Sequence, residues 1–371
     1  MKRWMVVLMT GVVAVSLHSA RAEWYDDMKF KGDVRYRFEN INDDSKDSQQ
    51  QRDRIRARLG VFPRVNNELD VGLQIATGTE VGNKEDPTSS NTTMTDGFSG
   101  KGIFLDLAYF DWHPEVIKGA DLIGGKMKNP FITVGDYIWD GDVTPEGLAA
   151  KYHVGKDVEL LANAGYLWVY ERSAAADTKL YGVQGALKYH FNSDAHVMVG
   201  ASGYLYDNME GFDVIDWSGA KKTYGNSKVS SVSGTTTNSL YAMEYTEIEG
   251  FAEVAFKLGL PVTLFGSYVV NTEAEEDDTG YMLGGAIGKA KDPKSFEVGY
   301  NYRRLEKDAA VGAFVDSDSW GGGTDGQGHK LYGKYQIHKN WQAGISYFIN
   351  DKKLDDSVNY ERLQVDLVAS F

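Results

Sequence analysis

Hydrophobicity in this chain repeats at every second residue, in segment after segment. Between residues 28 and 38, Met28, Phe30, Val34, Tyr36 and Phe38 fall on one face, and Lys29, Lys31, Asp33, Arg35 and Arg37 on the other. A β-strand sends successive side chains to opposite faces, so such a segment has one apolar and one charged surface. The phase returns further on. Ile55, Ala57, Leu59 and Val61 oppose Arg54, Arg56 and Arg58; Ile248, Ala252, Val254 and Phe256 oppose Glu247, Glu249 and Glu253. Beyond residue 22, no run approaches the roughly 20 apolar residues of a membrane-spanning helix.

The connections come in two lengths. Val154–Asp157, Asn192–Ala195, Leu258–Leu260 and His338–Asn340 are short, whereas Gly78–Lys101, Asn129–Thr144, Asp207–Tyr245 and Leu305–Gly328 are long and polar. Short turns at one end and long loops at the other describe a meandering barrel in a membrane. The expected fold is all-β: a transmembrane antiparallel up-and-down β-barrel of about sixteen strands, with short periplasmic turns and long extracellular loops. Residues 102–113 and 196–206 have an ambiguous phase, so counts of fourteen and eighteen fit as well. A β-sandwich would bury its aromatic rings in a core. Here the face opposite the rings carries arginines and glutamates, and rings such as Tyr189, Phe191, Trp341, Trp168 and Tyr268 sit where two membrane interfaces would fall.

Lys2 and Arg3 precede an apolar stretch, and Ala20-Arg21-Ala22 has the small-x-small pattern of a signal-peptidase site. Residues 1–22 are expected to be a cleaved signal peptide and residues 23–371 one barrel domain. The chain is acidic, with a formal charge of −14, which argues against nucleic acid as a partner. It has no cysteine, which excludes disulfides, thiolate catalysis and Cys-ligated metal sites. No cofactor and no metal site are read from the sequence. Leu363, Val365, Leu367 and Ala369 alternate up to a terminal Phe371. That ending is similar to the signal by which the barrel assembly machinery of the outer membrane recognises its clients.

Arg52–Val61, Val71–Gly78, Gly125–Phe131 and Trp139–Gly147 resemble the putative porins of Gram-negative bacteria; the rest of the chain fits by pattern. The resemblance implies a 16-stranded general-porin barrel, often a homotrimer, in outer-membrane lipid and lipopolysaccharide. It implies passive diffusion of small hydrophilic solutes and names no substrate. It also implies that the third long loop folds inward and narrows the channel. That loop carries Asp136, Asp140 and Asp142, with Glu146 just beyond. Arg35, Arg37, Arg54, Arg56 and Arg58 face the lumen by phase, with Lys126 and Lys128 beside the loop. Acidic groups opposite a basic wall set up a transverse field, which low-dielectric walls focus.

Other readings stay open at this point. The arginines and aspartates could simply brace the wall. Asp140-Gly141-Asp142 could be a calcium loop, although further ligands at regular spacing are missing. A substrate-selective channel is the runner-up. An anion pore calls for basic groups without opposing acids, and a sugar pore for an aromatic track that Tyr332 and Phe348 do not form. An outer-membrane barrel enzyme needs a nucleophile and base together, and His113, His153, His190, His196, His329 and His338 show no such pattern.

Overall fold

The computed structural model describes residues 28–81, 84–233 and 236–371, so the expected signal peptide lies outside the described residues. Sixteen long strands follow one another. They are β1 (Lys29–Asp43), β2 (Gln50–Phe62), β3 (Leu69–Gly78), β4 (Gly102–Trp112), β5 (Ala120–Lys126), β6 (Glu146–Gly155), β7 (Val158–Tyr170) and β8 (Thr178–Asn192). The second half comprises β9 (Ala195–Asp207), β10 (Tyr245–Leu258), β11 (Leu260–Asn271), β12 (Thr279–Gly288), β13 (Phe296–Leu305), β14 (Gly326–His338), β15 (Trp341–Lys352) and β16 (Val358–Ser370). Each pairs antiparallel with the next, and β16 returns to β1 from Asp33 opposite Ser370 to Asp43 opposite Tyr360. The barrel is closed and up-and-down, as expected.

The closing seam shows why the last residue lies where it does. Gly32 and Phe371 exchange both backbone hydrogen bonds, at 3.1 and 3.0 Å. A Cβ on Gly32 would stand 2.5 Å from the Phe371 ring, so only glycine leaves room for that ring across the seam.

The period-two apolar face points outward. Leu59, Val183, Leu264 and Leu283 are between 46% and 63% exposed. In water such a band would be a large sticky surface, whereas in a bilayer the lipid is its solvent. The two ambiguous segments have separate causes. The β3–β4 ladder shifts register between Gln74 and Ile75, which leaves Asp106 as an extra residue. Ile103 and Leu105 point outward before this bulge, and Phe110 and Trp112 after it, while Leu107 is buried. An inserted residue flips the alternation. In β9 the alternation is regular, but Met198, Tyr204 and Tyr206 on its inner face are themselves buried and apolar or aromatic.

Those inner rings mark where the core sits. Loops at the long-loop end turn into the barrel and pack on the inner wall of β7 to β13. Trp139, Ile215 and Ala310 from the third, fifth and seventh loops meet Leu180, Tyr204 and Met282 from the wall in one buried cluster.

The face assignment is testable in this cysteine-free chain. Cysteines at Leu59, Val183 and Leu264 should resist a membrane-impermeant thiol reagent in a bilayer, and one at Lys128 should react. Labelling in the reverse order would mean that the inside and outside faces are exchanged.

Candidate functional site

The third loop, residues 127–145, is held to the wall by its own sequence. Phe131 packs into a gap between Gly165 and Gly182 on the inner faces of β7 and β8, where a Cβ at Gly182 would lie 2.2 Å from the ring. Gln184 of β8 then holds the loop backbone, accepting the Ile132 N–H at 2.7 Å and donating to the Ile132 carbonyl at 2.9 Å. Further along, Trp139 meets Tyr204 edge-on at 5.6 Å and stacks on Phe314 of the seventh loop at 6.0 Å. The Asp140 N–H donates to the Phe314 carbonyl, and the Asp316 N–H to the Tyr137 carbonyl. Arg303 of β13 ties both loops to the wall, donating to the Asp136 carbonyl and to the Asp316 carboxylate at 2.6 Å each.

This docking turns Asp142 toward the arginines of β2. Asp142 accepts hydrogen bonds from the Ser90 N–H and hydroxyl, and lies 3.9 and 3.8 Å from the Arg56 and Arg58 guanidinium groups. Asp140 accepts the N–H groups of Asp142 and Ser317 at 2.8 and 2.9 Å. Burial pushes the Asp140 carboxyl well above the usual carboxylate range, and Asp316, Asp142 and Asp136 push the same way. Burial opposes ionisation of Asp142 too. There Arg56, the Ser90 N–H, Arg35 and Arg58 outweigh it and hold the carboxyl below its usual value.

The basic wall carries acids of its own. Arg56 and Arg58 share Asp33 at 2.8 and 2.7 Å, and Arg37 grips Asp366 of β16 with two hydrogen bonds at 2.7 and 2.8 Å. Glu39 is fully buried among Arg362 at 2.7 Å, Arg37 at 3.6 Å, Arg54 at 3.7 Å and a hydrogen bond from Arg52. Asp318 of the seventh loop bridges Arg362 and Arg37 at 3.0 and 3.5 Å. Arg35 differs, since its guanidinium is held by the neutral side chain of Asn91 at 2.7 Å.

Between the loop and the wall lies a cavity of about 620 Å³. It is lined by six basic side chains (Arg35, Arg37, Arg56, Arg303, Lys330 and Lys334) and six acidic ones (Asp136, Asp140, Asp142, Asp316, Asp318 and Asp366). It shares Asp140 to Asp142 with a smaller cavity that reaches Arg58 and Lys128. Those two residues also line the mouth at the short-turn end, beside Lys31 and Phe371. In the other direction Thr88, Ser89 and Asp318 are common to the cavity and an outer vestibule that contains Arg52, Arg54 and Arg362. Adjacent cavities with common polar lining residues thus follow one another from mouth to mouth past the third loop.

A family model described as putative porin matches residues 40–226 and 235–371. The chain belongs to the putative porin family. Solved structures share the fold of this porin at low sequence identity. Pseudomonas putida OprB superposes with a TM-score of 0.60 at 12% identity, over 96% of this chain and 97% of that one. Salmonella typhi OmpF, in complex with daunomycin, gives 0.56 at 11%, over 93% and 97%. A loop-deletion variant of OmpT, an outer membrane protein of Vibrio cholerae, gives 0.51 at 13%, over 93% and 100%. No curated protein matches the chain in sequence. The porin is an outer-membrane channel of a Gram-negative bacterium.

The residues singled out in the sequence are distributed along this path. Asp136, Asp140 and Asp142 share the central cavity with Arg35, Arg37 and Arg56, while Arg54 lies above it and Arg58 and Lys128 below. Glu146 lies outside the central cavity: it bonds Lys126 at 3.0 Å, and the pair lines a neighbouring cavity with Trp168 that Asp142 also borders. The carboxylates of Asp140 and Asp142 are already engaged by backbone and hydroxyl donors, so they also fasten the loops. Sequence reasoning missed Asn91, Asp316, Asp318 and Arg362. The last of these is on the inward phase of β16, but nothing local marks what the loops bring to it.

Trp139→Ala tests how the loop is held. Removing a buried tryptophan costs about 3–5 kcal/mol, and the strands do not depend on this one. The expected outcome is an assembled, heat-modifiable barrel whose single-channel current fluctuates more. Recordings as quiet as those of the parent would mean that the loop is held without that ring.

Proposed function

We propose that this porin is a general diffusion channel: a water-filled path for small hydrophilic solutes and ions, narrowed where the acidic third loop faces the basic wall of β1 and β2. The observation that carries the reading is the balance of charge in the central cavity, six basic groups against six acidic ones. Opposite charges across a narrow gap orient dipoles and admit both ion signs, whereas a ring of one sign selects. An anion-selective pore would not spend six carboxylates on its narrowest stretch. A sugar-selective pore is also disfavoured, because Tyr332 lines the cavity but Phe348 is buried beneath Lys330. The reading includes export by residues 1–22, a mature barrel of residues 23–371, and the homotrimer in lipid and lipopolysaccharide that the resemblance implies.

Reversal potentials under a salt gradient test it. Asp140→Asn with Asp142→Asn should move the preference toward anions, and Arg35→Gln with Arg56→Gln toward cations. Potentials unchanged in both assembled double variants would place the narrowing elsewhere and leave these residues as wall braces. The pH dependence has a definite sign. A carboxyl raised above the usual range takes up its proton first as pH falls, so acidification removes the Asp140 charge before that of Asp142. The potential should drift toward anions on acidification, and Asp140→Asn should flatten the early part of that drift.

Phe371 is proposed as part of the assembly signal, a role that its place in the closing seam supports. Deleting it should lower the yield of heat-modifiable barrel in the outer membrane. Assembly at the parent rate without it would remove the residue from that role.

A further inference from the structure

The inner face of the short-turn end carries a cluster that the conduction path does not explain. Asp111 lies near the end of β4, His113 follows that strand, and Asp121 lies near the start of β5. Asp111 stands opposite Ile123 in the ladder, so Asp121 is its diagonal neighbour on the same face. One ligand atom from each of Asp111, His113 and Asp121 lies within 4.8 Å of the other two. Two atoms in the group are left over. His113 Nε2 and Asp111 Oδ1 are shielded from solvent, and neither has a hydrogen-bond partner. Leaving such a group unsatisfied costs roughly 1–3 kcal/mol, and buried polar groups are otherwise nearly always paired.

The neighbours do not resolve this. Asp70 faces Asp111 across the ladder and adds like charge, although Arg64 lies 3.2 Å from it. Lys151 stands opposite Asp121 on β6. The turn itself is fixed, since the His113 N–H donates to the Glu68 carbonyl at 2.9 Å and the Glu115 N–H to the Glu68 carboxylate at 2.7 Å. Three other histidines of this rim are paired with carboxylates. His153 and His190 bond Glu159 at 3.0 and 2.6 Å, and His196 bonds Glu253 at 3.2 Å.

We propose that Asp111, His113 and Asp121 bind a divalent transition-metal ion of the zinc or cobalt class at the periplasmic mouth. One imidazole nitrogen with two carboxylates is a mixed donor set that suits such ions, whereas calcium and magnesium take oxygen ligands alone. Three protein ligands leave the remaining coordination positions to water, so the ion exchanges with the periplasm. Asp111 lines the same mouth as Lys31, Arg58 and Lys128. A bound dication there adds positive charge where solutes enter or leave.

Tag-free protein in detergent is titrated with Co²⁺, read by its visible absorption, and with Zn²⁺, read by calorimetry. A saturable step is expected in the parent and in the His153→Gln, His190→Gln, His196→Gln triple variant. His113→Gln should weaken that step at least about tenfold, the cost of disturbing even an outer partner of a metal ligand. Asp111→Asn with Asp121→Asn should abolish it, and Asp121→Asn alone serves as the second variant if the others assemble poorly. Zn²⁺ on the periplasmic side should shift the reversal potential toward anions in the parent and not in His113→Gln. Parent-like binding by an assembled His113 or Asp121 variant would overturn the site. So would loss of the step in the triple variant alone.

Discussion

Everything in this molecule follows from the need to pair each backbone N–H and C=O without water. In hydrocarbon an unpaired peptide group costs several kcal/mol, and a sheet satisfies all of its strands only if it closes on itself. The β1–β16 seam supplies that closure, and its register is carried down to the exchange between Gly32 and Phe371. Once the wall is closed, alternation sorts the side chains: one set meets lipid, the other meets whatever fills the barrel.

What fills it is uneven. One side of the inner wall, from β16 through β2, is a lattice of arginines and carboxylates. The other, from β7 to β13, is rich in glycine, tyrosine and methionine and receives the loops. The charged side holds because it is nearly self-sufficient. A buried carboxylate such as Glu39 is tolerable only with its guanidinium partners in place, and removing one partner would leave an uncompensated charge. The loop-receiving side holds by ring contacts and by polar tethers such as Gln184 and Arg303, and its glycines are the sockets into which the third loop fits.

The fold was legible because alternation is local and repeated. Met28 to Phe38 alone announce a two-faced strand, and strand after strand repeats the message. The Asp106 bulge hid from such reading because a single inserted residue inverts phase without changing composition. β9 hid because its inner rings serve a loop rather than water. The aspartates of the third loop stood out through family likeness. Their actual partners did not, since Ser90, Ser317 and Phe314 come from loops far away in the chain. The run from Ala309 to Val315 was an unread clue. Seven weakly polar or apolar residues inside a polar loop make little sense in solvent, and good sense against Trp139.

The third loop is fastened to the seventh as firmly as to its own wall, through Asp140 to Phe314 and Tyr137 to Asp316. The chain between them includes eight strands of the barrel, β6 to β13, so the clasp depends on those strands being paired. A newly closed barrel with its loops still undocked would be a hole of nearly full bore. On the proposed reading of the third loop, the permeability barrier then rests on that docking as well as on strand pairing. Selection on leakiness would act less on the wall than on how quickly two surface loops find each other.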